Sequence, residues 1–164
     1  MKIVIGCDHI VTDVKDKLKE SLISKGHEVY DVGTYDFVRT HYPIFGQKIA
    51  ENVASKKYDI GVAICGTGVG ISNSSQKIKG ARVALVSDLL SAEIARSQYD
   101  ANIIAFGGRI TGLGIMEEAI DVFINTKFNG EKEVVNFLDN IVKKNKTVSF
   151  KKELKDWEKG KYHD

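Results

Sequence analysis

The stretch IGVAICGTGVGIS, residues 60–72, decides the fold. Its first six residues, Ile60 to Cys65, are near-continuously apolar and rich in β-branched side chains. Such a run reads as a strand covered on both faces, as in parallel sheets. Gly66, Gly68 and Gly70 follow at alternate positions, and a helix is expected to start at about Val69. A strand entering a helix through a glycine-rich turn is one βα unit.

Outward from this stretch the unit recurs. KIVIGC (2–7), HEVYDV (27–32), ARVALV (81–86) and NIIAFG (102–107) read as further strands, and only HEVYDV is not near-continuously apolar. Helical spacing lies between them. Val14, Leu18 and Leu22 stand four apart, and Lys25-Gly26 closes that segment as a basic last turn and a C′ glycine. Phe45, Ile49 and Val53 repeat the spacing, with Pro43 near the helix start. Further helices are expected over 91–98, 112–125 and around Val134, Leu138, Ile141 and Val142. Phe150, Leu154 and Trp157 then fall at i, i+4, i+7, a stripe expected to dock on its own domain or on a partner.

Strand and helix alternating five times predict an α/β protein. The expected architecture is a three-layer α/β/α sandwich around a five-stranded parallel Rossmann-like sheet of order 2-1-3-4-5, with right-handed crossovers and a C-terminal helical extension. No linker or repeat divides the chain. Residues 1–164 therefore read as a single domain, with an α/β core over 1–128 and C-terminal helices and tail over 129–164.

Composition narrows the function. The 164 residues carry 24 basic and 22 acidic side chains, a balance too even to argue for nucleic acid or an anionic membrane. The lysine-rich stretch 143–155 has acids on both sides and reads as a solvated helix end and linker. Cys7 and Cys65 form no repeated disulfide framework and suit a reducing compartment. No segment approaches the ~18 apolar residues of a membrane span, and the N-terminal apolar run is too short for a signal peptide. A cytoplasmic protein is expected.

The glycine loop fits none of three familiar motifs. A dinucleotide fingerprint belongs in the first βα unit, but no glycine follows Gly6 there. No Gly-Lys-Ser/Thr follows to make a Walker A loop, and position 71, where a cysteine phosphatase needs arginine, is Ile71. What remains is physical. Glycines let the backbone approach a ligand closely, and free N–H groups at a helix start favour a developing anion. A thiol just before such a start is suited to act as base or nucleophile, which singles out Cys65. A tight turn over a buried structural cysteine is the competing reading. Thr67 adds a hydroxyl, and Asp8 and His9 end the first strand, where they suit sugar hydroxyls, a phosphate or ring opening. Arg39 in RTHYP (39–43) suits phosphate, and Arg109 follows the fifth strand at the same sheet edge.

Together GCDH (6–9), DVGTYDFVRTHYP (31–43), ICGTGVGIS (64–72) and NIIAFGGRI (102–110), in this order, resemble the sugar-phosphate isomerases that include ribose-5-phosphate isomerase type B and the subunits of galactose-6-phosphate isomerase. The resemblance covers roughly 1–145. Residues 31–46 and the ending WEKGKYHD are most similar to the B-type chains of galactose-6-phosphate isomerase.

The resemblance implies aldose–ketose isomerisation through a cis-enediolate, without metal or organic cofactor, in a site shared between two subunits. It implies Cys65 as the base. Thr67 and the amides of Gly66, Gly68, Val69 and Gly70 would hold the enediolate; Asp8, His9, Arg39 and Arg109 would contact sugar and phosphate. The chain also departs from the family pattern. Gln98 stands where type B enzymes carry a ring-opening histidine, and Tyr99 replaces a substrate-contacting asparagine. Gly130-Glu131-Lys132-Glu133 stands where the family has a Gly-Gly-Arg-His segment that supplies phosphate-binding arginines, and Asn136 falls on a further arginine. The expected partner is an A-type subunit in a hetero-oligomer, with a homodimer as the alternative when the chain is alone. A self-sufficient isomerase and a catalytically silent sugar-phosphate-binding subunit are the competing readings.

Overall fold

A computed structural model describes residues 1–142 and 151–159. Three strands form the middle of one parallel sheet: β1 (Lys2–Cys7), β3 (Ile60–Cys65) and β5 (Ile103–Gly107). Apart from Lys2 every residue in them is buried, as near-continuous apolar runs require when both faces are covered. The edges are β2 (Glu28–Asp31), which alternates exposed and half-buried residues, and β4 (Val83–Leu85), only three residues long.

The order is β2-β1-β3-β5-β4, with all neighbours parallel. This corrects the expected 2-1-3-4-5. The fully buried β5 takes the inner position, and the short, half-buried β4 is left at the edge. The chain therefore turns back after β4. Of the helices, α1 (Thr12–Ser24), α4 (Leu89–Tyr99) and α5 (Leu113–Asn125) pack one face around Leu18, Ala92, Met116 and Phe123. Helices α2 (Tyr42–Ala54) and α3 (Val69–Ser75) pack the other around Phe45, Ile49 and Ile71. The connection after β3 thus leaves toward one face, while those after β1 and β5, its neighbours on either side, leave toward the other. Crevices at strand carboxyl ends open where adjacent connections diverge in this way.

The core stripe of α1 differs from the expected Val14, Leu18, Leu22. Leu18 and Leu22 are buried, but Val14 is only half-buried and Lys15 is wholly buried. A lysine has taken a core position.

Beyond the sheet, α6 (Lys132–Ile141) is tied back by Arg82, which reaches both Asp139 oxygens at 3.0 and 3.2 Å and Asp100 at 2.8 Å. Helix α7 spans Lys151–Glu158. Residues 151–155 of the stretch expected as a helix end and linker (143–155) thus lie in this helix, whereas its part at 143–150 and the docking of the Phe150, Leu154 and Trp157 stripe lie outside the described residues. No described helix is long and apolar enough to cross a membrane.

Candidate active site

Four loops meet at the carboxyl edge of the sheet. The loop after β3 is held against the loop after β5: Gly108 N donates to the Cys65 carbonyl at 2.9 Å, and Arg109 N to the Gly66 carbonyl at 3.1 Å. The loop after β1 closes the other flank. A side chain on Gly66 would touch Ile10 at 3.6 Å, and one on Gly108 would meet Val11 at 2.8 Å. The loop after β2 joins through His9, whose Nδ1 accepts from Thr40 N at 3.2 Å.

The glycines of residues 66–70 have separate causes. Gly68 has φ +78°, in the left-handed region that disfavours side chains. A Cβ there would also run into Leu85 and come within 2.7 Å of the Phe106 carbonyl carbon. With this turn in place, Gly68 N points at Cys65 Sγ from 3.2 Å. An N–H so placed stabilises sulfur when it is anionic. Gly70 needs no unusual φ; it makes room for the Tyr42 ring, whose Cζ lies 2.7 Å from where its Cβ would be. Thr67 is exposed on the crest of the loop, its Oγ1 3.4 Å from Val69 N. The first amides of α3 lack helical partners.

Asp8 is 4 % exposed and caps the 3-10 turn His9–Val11, accepting from Ile10 N at 3.1 Å. Burial raises its carboxyl above the usual range, against the pull of the Ile10 amide and the His9 and Arg109 charges. Because His9 Nδ1 accepts a hydrogen bond, the neutral ring carries its proton on Nε2. Arg39 and Arg109 are both exposed, Arg39 one residue before the Thr40 contact.

The two thiols part company. Cys7 pairs with Ile64 in the β1–β3 register and belongs to the α1-side core, whereas Cys65 belongs to the α2-side core. They point to opposite faces of the sheet. Burial pushes the Cys7 thiol up to about 12, opposed mainly by Lys15. Cys7 is thus an apolar packing group.

Tyr99 is not brought to this cluster. It ends α4, four residues before β5 begins, so it lies at the amino edge of the sheet, the length of β5 away or roughly 15 Å. Gln98 lies with it: its Nε2 donates to Asn129 Oδ1 at 3.0 Å, Asn129 N donates to the Ser97 carbonyl at 2.9 Å, and Gly130 packs on the Gln98 backbone. The segment 130–136 therefore sits beside Gln98 and away from Cys65. Tyr42, by contrast, joins the cluster although its sequence signal is weak: an aromatic before Pro43 says only that a helix begins. Among the described residues, no group of three or more His, Cys, Asp or Glu is placed to hold a metal ion.

Known proteins are similar to this chain in sequence and fold. The family model for ribose/galactose isomerase matches residues 3–141. A galactose-6-phosphate isomerase subunit, LacB of Clostridium acetobutylicum, is 51% identical over 99% of this chain and 98% of its own length. Ribose-5-phosphate isomerase B of Escherichia coli is 38% identical over 79% of this chain and 87% of its own. Among solved structures, ribose-5-phosphate isomerase B of Clostridium thermocellum superposes with a TM-score of 0.85 at 38% identity, covering 87% of this chain and 98% of that one. That of Mycoplasma genitalium, solved with bound ribulose 5-phosphate, does so with a TM-score of 0.79 at 30% identity, covering 87% and 94%. The chain belongs to the ribose/galactose isomerase family, a family of sugar-phosphate aldose–ketose isomerases.

Proposed function

We propose that this chain is the enolising subunit of an isomerase that converts D-galactose 6-phosphate to D-tagatose 6-phosphate, and that an A-type partner subunit supplies the ring-opening histidine. The end-to-end 51% identity to a galactose-6-phosphate isomerase subunit carries the choice of substrate. Glutamine at position 98 carries the need for a partner, because a neutral amide cannot shuttle a proton near neutral pH.

In this reading Cys65 Sγ, as thiolate, removes the proton from C2 of the opened aldose. The electron pair moves into a C1–C2 double bond, and the carbonyl oxygen at C1 becomes an enediolate oxyanion. The amides of Gly66, Val69 and Gly70, with the Thr67 hydroxyl, hold that developing charge, while the Gly68 N–H, which meets Cys65 Sγ at 3.2 Å, serves the thiolate first and the enediolate as the proton moves. A proton passes from the C2 hydroxyl to the C1 oxygen, and the thiol then returns the abstracted proton to C1, leaving the carbonyl at C2 and Cys65 again a thiolate. Asp8 and His9 contact sugar hydroxyls, His9 through Nε2–H. Arg39 and Arg109 take the phosphate.

The placement of Gln98 and Tyr99 supports a shared site. A chain with Cys65 at one sheet edge and these positions at the other can complete a site only with another chain's amino edge. The substrate half of the proposal is tested by mixing this chain with an A-type subunit and comparing kcat/KM on galactose 6-phosphate and ribose 5-phosphate. The expected preference is for the hexose. Equal or better turnover of ribose 5-phosphate would move the reading to a pentose-phosphate isomerase.

A further inference from the structure

Lys15 is the one wholly buried cation among the described residues, and neither packing nor the reaction above uses it. Its Nζ donates to Asp31 Oδ2 at 2.7 Å and to the Thr34 carbonyl at 2.6 Å, and it lies 3.2 Å from Asp16 Oδ1. The Tyr35 ring centroid is 5.0 Å away. Asp31 is satisfied on its other side, where Oδ1 accepts from Gly33 N at 2.9 Å. Burial alone would pull the ammonium down, but the Asp31 hydrogen bond and charge outweigh it and the net shift is upward. The cation therefore persists at neutral pH.

A methionine or leucine would fill this place on α1 without the cost of desolvating a charge. What the lysine adds is a tether. Residues 32–41, between β2 and α2, form no helix or strand, yet they carry Arg39 and the Thr40 amide that meets His9. The backbone of Cys7 pairs with Gly33 and Thr34 at the start of this loop, at 2.7 and 2.9 Å, and three side chains of the first βα unit then hold it in succession. Lys15 takes Asp31 and Thr34, Thr12 Oγ1 donates to the Asp36 carbonyl at 2.7 Å, and His9 Nδ1 accepts from Thr40 N. Two hydroxyls of the loop, those of Thr34 and Thr40, are buried without a hydrogen-bond partner. Those two hydroxyls do not help to hold the loop; contacts with the first βα unit do, the backbone of Cys7 gripping Gly33 and Thr34 and the side chains of Lys15, Thr12 and His9 taking the rest.

We infer that Lys15 is a positioning residue: by anchoring the start of the β2–α2 loop it holds the Thr40 amide against His9 Nδ1, and so fixes His9 with its proton on Nε2. The effect on the structure stands by itself; the effect on turnover rests on the isomerase reading.

The test is Lys15→Met in the full chain, with amide hydrogen exchange followed at Thr40 and, as an internal control, at Ile104 in the buried β5. Thr40 exchange is expected to accelerate at least ~100-fold while Ile104 keeps its protection, the pattern of local rather than global opening. In the mixture with an A-type subunit, KM is expected to rise about tenfold with kcat changed less than ~3-fold, as for lost ground-state positioning. Thr40 protection equal to wild type would overturn the proposal, as would an unchanged KM in an active mixture. Absence of activity in every mixture, wild type included, would contradict the isomerase reading and leave the exchange result to decide. If the single variant does not fold, Lys15→Met with Asp31→Asn removes the carboxylate charge that only Lys19, at 3.2 Å, would then face. A folded double variant with fast Thr40 exchange supports the tether, and one with Thr40 fully protected overturns it.

Discussion

The two edges of the sheet teach opposite lessons. At the carboxyl edge, four loops of irregular backbone converge, and several residues have a specific reason to be there. Gly68 turns the chain so that an amide meets Cys65, Gly70 admits Tyr42, and the Thr40 amide sets the tautomer of His9. At the amino edge, Gln98, Tyr99 and residues 130–136 form an ordinary surface held by structural contacts such as Gln98 to Asn129. Both surfaces lie within the region that the family model matches. One carries Cys65, Asp8 and His9 in interlocked loops; the other has neutral or mixed side chains where the resemblance leads one to expect a histidine and arginines. Sharing a fold does not oblige a chain to keep both halves of a site.

The largest test of this contrast is Cys65→Ala against Gln98→Ala, both mixed with an A-type subunit. Removing a proton-transfer group costs about 10²–10⁴ in rate, so solvent deuterium incorporation at C2 should fall by that factor in Cys65→Ala. The same measurement on Gln98→Ala should change by less than about twofold, as for a residue outside the reacting groups. Comparable losses in both would erase the distinction between the edges.

Gly68→Ala comes next. The left-handed φ and the Phe106 and Leu85 contacts predict a stability loss of about 1–3 kcal/mol in denaturant unfolding, with activity lost beyond what that explains. Cys7→Ala should separate the thiols. It removes packing on the far face of the sheet, costs about 1–2 kcal/mol, and leaves C2 exchange within a few-fold of wild type. The smallest effect concerns Asp8. Its folded-state carboxyl titrates above the ordinary value of 3.8, so its ionisation opposes folding at neutral pH. Asp8→Asn should therefore be more stable than wild type at pH 7. The gap should close as pH falls through the raised value and vanish below the ordinary one. A gap that widened on acidification would contradict the assigned shift.

Much of this was legible in the sequence, and the misses have physical causes. The buried strands announced themselves because a strand covered on both faces must be apolar throughout. Their order did not: ARVALV and NIIAFG look equally buried, and only packing shows that β4 is a short edge strand and β5 an inner one. Cys65, Asp8, His9 and Arg109 were legible because loops at one end of a parallel sheet must meet. That Tyr99 lies at the other edge was not legible, because a motif in a line of text does not say which sheet edge a helix end reaches. Lys15 was hidden by the apolar spacing of Leu18 and Leu22, which marks the buried face without saying that a charged residue also lies on it.

The central claim is that this chain holds the enolising half of a site whose ring-opening half belongs to another chain. The most direct measurement is galactose 6-phosphate isomerisation by the purified chain alone, then during titration with an A-type subunit. The account predicts negligible turnover alone and a rise that saturates at a fixed stoichiometry. Turnover by the chain alone that the partner does not increase would contradict it.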